Sequence, residues 1–332
     1  MIAFLFWLFQ QKTTQTNPAR NILGKICRFL NGLMNVHFTR QTLQHINGLN
    51  DLRFVVFHPN LPLLAVTSDN PNIVTMYDLT TIPPTIKHRL QDHTDWIRSC
   101  AFHPHLHLFA TGSDDLSTII YNMSTLPPSI KHHFKHHANF VICVAFHSYL
   151  SLLITSSVDN SILYDIKTSP PSITHRLTHL DHWSCSVVFH SKLPLFAVRT
   201  TYNSIRIYNI STELPIIKYC LRHHKNSING ITFHPNLLLF ASCSDDFSNI
   251  VYNISTERAT IKYRLAHSAS SVYVVIFHSS LPLLAIQLRF TIILYNISTS
   301  LPTIQQDFRY NQYKHDGCIK CFTFHPHLPV FA

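Results

Sequence analysis

Short alternating runs, each ended by turn-forming residues, occupy most of the chain. In one representative stretch, "WIRSCAF" alternates apolar and polar positions, "HPH" turns, "LHLFATGS" runs again, and "SDDL" turns tightly into "STIIYN". "TLPP" then breaks the chain before "SIKHHF". Period-two alternation bounded by Pro, Asp and Ser clusters predicts four short β-strands. Proline falls in the connections, where its missing N–H costs no ladder bond.

The pattern repeats. Phe-His occurs at Phe57-His58, Phe102-His103, Phe146-His147, Phe189-His190, Phe233-His234, Phe277-His278 and Phe324-His325, at intervals of 45, 44, 43, 44, 44 and 47 residues. A tyrosine follows each of the first six, at Tyr77, Tyr121, Tyr164, Tyr208, Tyr252 and Tyr295. "FATGSDDLSTIIYN" at 109–122 returns as "FASCSDDFSNIVYN" at 240–253, keeping its Ser-Asp-Asp. Four strands every 44 residues or so predict a β-propeller, whose blades bury their faces only against neighbouring blades.

On these positions the chain resembles the WD-repeat propellers. The family's His before the first strand matches His93, His137, His182, His224, His267 and His315. Its turn aspartate matches Asp115, Asp159 and Asp246, and its strand serine Ser113, Ser157 and Ser244. Tyr121-Asn122, Tyr164 and Tyr252 stand where the family has Trp-Asp. The resemblance implies a buried His, Ser, Asp and Tyr network in each blade. Asn203 and Phe290 fall where the fourth and sixth units need the turn Asp, so those networks are expected to be incomplete.

The expected fold is all-β: a propeller of about seven four-stranded blades over 37–332, the seventh incomplete, behind a short helical extension at 1–36. "HFTRQTLQH" at 37–45 aligns with the outer strands, so the N-terminal side supplies one strand to the seventh blade. "CIKCFTF" supplies a first strand and "LPVFA" the beginning of a second, and a third is missing: either the N-terminal segment fills the gap, or six blades carry a frayed seventh, or the chain is a truncated product. Within 1–36, "IAFLFWLF" falls short of the ~20 residues that span a bilayer, and Asn17-Pro18 opens a stretch whose Ile22, Ile26, Phe29 and Leu33 share a helical face.

Composition narrows the setting. Of the 332 residues 46% are apolar, ample for a core, and only 13% are charged, so Ser, Thr, Asn and His must build much of the surface. Eight cysteines show no disulfide framework, and a reducing, cytoplasmic setting is the simpler reading. Sequons at Asn122, Asn209, Asn253 and Asn296 recur because the third strand recurs.

Candidate chemistry reduces to recognition. Asp114-Asp115 and Asp245-Asp246 are paired carboxylates, but recurrence in a turn marks them as structural, and no catalytic, cofactor or metal residue is assigned. The histidines of "HPHLH" and "KHHFKHH" follow the repeat instead of converging. Net charge is +10, with Lys87, Arg89, Lys131, Lys218, Lys262 and Arg264 expected on one face of the outer strands, opposite Ile86. Trp96, Phe140 and Trp183 lie in the loops before successive first strands and, with Arg98, are the candidate anchors for a protein or peptide partner. The expected function is a non-catalytic interaction scaffold, monomeric unless the incomplete blade pairs with another chain. The alternative is binding of nucleic acid or an anionic membrane through the basic rim.

Overall fold

The computed structural model describes residues 54–309, apart from 68–71, 82–83, 179–185, 201–202 and 268–269, together with Phe324. They form an all-β propeller of six four-stranded blades, at 54–90, 97–134, 141–178, 186–221, 228–266 and 272–309. Every blade is a consecutive antiparallel meander, as short turns between successive strands dictate. The count of about seven is therefore reduced to six among the described residues, and no helix occurs among them. The segments expected to build the seventh blade, and the helix expected within 1–36, lie outside the described residues, Phe324 excepted.

The second and third strands are buried on both faces: all six residues of Leu108–Ser113 are covered, and the first four of Thr118–Asn122. Such strands must be sandwiched, and the cores accordingly lie between blades. Leu63, Ala65, Val74 and Met76 of the first blade pack on Ile97, Cys100, Phe102 and Phe109 of the second. Leu195 and Ile207 of the fourth pack likewise on Ile231, Phe233 and Ile250 of the fifth. Contact is close enough that a Cβ on Gly112 would come within 2.7 Å of Val141 Cγ1 in the next blade.

Each seam carries one recurring pair. The marker histidine of one blade lies against the marker phenylalanine of the next: His58–Phe102, His103–Phe146, His147–Phe189, His190–Phe233 and His234–Phe277, with ring centroids 4.9–5.3 Å apart. His278 meets the buried Phe324 at 5.0 Å in the same way.

The outer strands hold a second regularity. In all six blades the pairing of strands three and four slips by one residue opposite the repeat tyrosine. The extra residues are Lys87, Lys131, Thr174, Lys218, Lys262 and Gln305. A bulge twists an edge strand away from foreign partners in all six blades, and in four of them the extra residue is a lysine that adds charge to the edge. The slip also revises the expected stripe: Ile86 pairs with Tyr77 and Arg89 with Thr75, which puts Ile86 on the same face as Arg89.

Candidate interaction face

A four-stranded meander places the turn between strands two and three at the same end as the connection into the next blade. The repeated Ser-Asp-Asp sits at that end, and its two aspartates hold different things. Asp115 Oδ2 meets His93 Nδ1 at 2.8 Å and accepts from the Thr94 N–H at 3.0 Å. Its Oδ1 accepts from the Ser117 hydroxyl at 2.5 Å. His93 Nε2 lies 2.7 Å from Thr111 Oγ1. Ser113 Oγ closes the turn, accepting from the Asp115 N–H and donating to the Asp95 carbonyl, both at 3.1 Å.

The fifth blade repeats the arrangement with Asp246, His224, Ser242, Ser248 and Ser244. In the third, His137 Nε2 keeps Thr155 at 2.7 Å, but Nδ1 stands 3.5 Å from Asp159 Oδ1, a looser pair. Burial would raise both tight carboxyls, yet their hydrogen bonds win. Asp115 is held well below the carboxylate range by His93 and Ser117, and Asp246 falls to about 2.

A hydroxyl, imidazole and carboxylate in line resemble the parts of a nucleophilic triad, but Thr111 is fully buried and His93 nearly so. This set braces a turn. The tyrosines join it unevenly: Tyr121, Tyr164 and Tyr252 are all buried, Tyr164 Oη lies 3.1 Å from His136 Nδ1, and Tyr252 Oη finds no hydrogen-bond partner.

The first aspartate of the pair is held from the innermost strand. Arg98, the extra residue of a bulge there, forks onto Asp114 with Nε 2.8 Å from Oδ1 and Nη2 2.5 Å from Oδ2. Asn229, at the equivalent bulge, holds Asp245 by one amide N–H at 2.7 Å. The hydrogen bonds it donates to Asp114 raise the Arg98 pKa further. Arg98 therefore stands ion-paired, with its guanidinium 5.9 Å from the centroid of the Trp96 ring.

Of the expected anchors, Phe140 is 45% exposed and Trp96 half-buried. Each is set by the residue before it, Asp95 Oδ1 accepting from the Trp96 N–H at 2.7 Å and Asn139 Oδ1 from the Phe140 N–H at 2.8 Å. Trp183, six residues before its marker Phe as the other two are, lies outside the described residues. The same end adds exposed Phe247 and Tyr273, which sequence reasoning missed because neither shares the repeat position of the aromatic anchors; Tyr273 takes the bulge position that Arg98 holds in its blade.

Asn203 does not take the place of the turn Asp. The pairings Ile205↔Arg199, Thr118↔Gly112 and Asn249↔Cys243 align Asn203 with Leu116 and Phe247 instead. All three have positive φ, at 52°, 69° and 63°. The recurring sequons also have a structural cause. Oδ1 of Asn122, Asn209, Asn253 and Asn296 accepts from the N–H two residues on at 2.9–3.0 Å, opening the turn between strands three and four, as Asp78 and Asp165 do elsewhere. No three His, Cys, Asp or Glu side chains gather into a metal-binding group among the described residues.

A family model described as WD domain, G-beta repeat matches residues 84–122, 128–164 and 216–253. Each match runs from one blade's outer strand through three strands of the next, and the three take in Asp115, Asp159 and Asp246, the units that pair a turn Asp with its His. Repeats and propeller together are consistent with the WD-repeat family. No curated protein matches the chain.

Proposed function

Proceeding from a propeller of WD-repeat type, we propose that the protein is a non-catalytic scaffold that grips a protein or peptide partner on the end bearing Trp96 and Phe140. WD-repeat propellers generally mediate protein–protein interactions, and the chemistry of this end supports the reading. The observation that carries it is Phe140, a large aromatic left 45% exposed on a loop pinned by Asn139. Beside it, Trp96 and the ion-paired Arg98 form a rigid platform. Rigid aromatic and arginine groups lose little freedom on binding and dominate interface energies. By its place in the repeat, Trp183 is the third aromatic of this reading. The buried thiols Cys100, raised to about 12 by burial, and Cys243 suit a reducing, cytoplasmic setting.

Affinity capture with the full chain and with a Trp96→Ala, Phe140→Ala double variant tests the reading. Loss of the captured partner with an unchanged melting temperature is expected. Identical capture by the double variant overturns it.

A further inference from the structure

The two ends of the propeller expose different surfaces. In a meander the turn joining strands one and two lies at the same end as the turn joining three and four, opposite the aromatic anchors. Most of the exposed large apolar side chains gather at this second end. Leu61, Leu106 and Leu237 tip the first turns, while Leu126 (80% exposed), Leu214 and Leu301 (76%) tip the others. Exposed isoleucines such as Ile86, Ile130 and Ile261 follow near the start of the outer strands. These side chains share one end instead of being spread over the whole surface.

Hydrogen bonds between neighbouring turns hold these tips side by side. Asn60 Nδ2 donates to the Pro104 carbonyl at 2.6 Å, Ser191 Oγ to Pro235 at 2.8 Å, and Asn236 Nδ2 to Ser279 at 2.8 Å. The leucines thus stand on successive turns of one broad face.

Charge decides the occupant. The residue after each of the three isoleucines is a bulge lysine, and Lys218 repeats this in the fourth blade. Lys167 and Lys192 add to them on turns of the same end, where the acids among the described residues are Asp78, Asp165, Glu213 and Glu257, the first bridged to Lys87 at 3.3 Å. Apolar tips ringed by lysine are the chemistry of an interfacial anchor, in which side chains enter the acyl boundary while cations meet anionic headgroups. A fluid bilayer accepts dispersed tips together. We propose that this end of the propeller docks on an anionic lipid bilayer.

Sedimentation of the full chain with phosphatidylcholine vesicles, with and without phosphatidylserine, tests the proposal. Binding to the phosphatidylserine vesicles, weakened by salt, is expected. A Leu126→Ser, Leu214→Ser, Leu301→Ser variant should bind about tenfold less or worse, and Lys131→Gln, Lys218→Gln, Lys262→Gln should remove the preference for phosphatidylserine. If the triple leucine variant melts early, Leu126→Ser alone, at the most exposed of the three positions, carries the comparison. No sedimentation with phosphatidylserine vesicles overturns the proposal. So does binding that the leucine changes leave intact, which would run through another part of the chain. Self-association abolished by those changes would assign the face to a second copy and overturn it equally. The aromatic double variant should bind vesicles normally, so this proposal and the scaffold reading fail separately.

Discussion

His103 of the second blade rests its ring against Phe146 of the third at 5.2 Å, while its Nδ1 accepts from the backbone N–H groups of His105 and Leu106 at 3.1 and 2.9 Å. One imidazole thus joins a blade seam to its own turn. His58, His147, His190, His234 and His278 accept two N–H bonds in the same way. The ring must be neutral with its proton on Nε2, and His147 Nε2 stands 3.0 Å from the Leu193 carbonyl across the seam.

Acid should therefore loosen the seams. Burial holds His58, His103, His190 and His234 at about 4, below their ordinary 6.5. Above 6.5 both folded and unfolded chains are unprotonated there, and the stabilisation is whole. As pH falls from 6.5 toward 4, the unfolded chain binds protons that the native ring refuses, costing at most ~1.4 kcal/mol per pH unit per histidine. The melting temperature should fall steeply across this window, and a level profile would refute the assignment.

The turn aspartates should rank by their geometry. Asp115→Asn removes the charge from a 2.8 Å contact to a buried imidazole and should cost about 3 kcal/mol. Asp246→Asn, with its 2.9 Å contact, should cost nearly as much. Asp159→Asn, at 3.5 Å, should cost about 1 kcal/mol. Urea denaturation of the three variants gives the order, and equal losses would mean that the histidine contact is not what these carboxylates supply.

The strands and the second Asp of each Ser-Asp-Asp could be read from the chain because both depend on local pattern and a 44-residue period. The job of the marker histidine could not, since Phe146 lies in the next blade and the two accepted N–H bonds leave no mark in residue type. The pairing of Arg98 with Asp114 was not legible either, because the two meet only across the sheet register. Bulges escaped for a related reason. Counting alternate positions through "TIKHRL" assumes continuous pairing, and one extra residue at Lys87 reverses the facing of what precedes it.

Gly112 is held by space. Its absent side chain would meet Val141 Cγ1 at 2.7 Å and Val144 Cγ1 at 2.9 Å, both in the third blade. Gly112→Ala should destabilise by about 1–3 kcal/mol through overpacking, and Gly112→Ala with Val141→Ala should recover part of that loss. Failure of the second change to help would place the strain elsewhere than this seam.

Phe247 offers the reverse case. Its φ of 63° puts a bulky residue in the left-handed region, where a Cβ costs roughly 1–2 kcal/mol. Its side chain is 44% exposed, so little packing is returned. Asn203 occupies the same turn position in the fourth blade with a residue that tolerates this conformation. Phe247→Asn should therefore raise stability by about 1 kcal/mol and Phe247→Gly by a similar amount, read as a shifted urea midpoint at constant slope. A loss of stability in both variants would mean that the exposed ring packs usefully against its surroundings. Retained stability with lost partner capture would instead add Phe247 to the gripping surface beside Trp96 and Phe140.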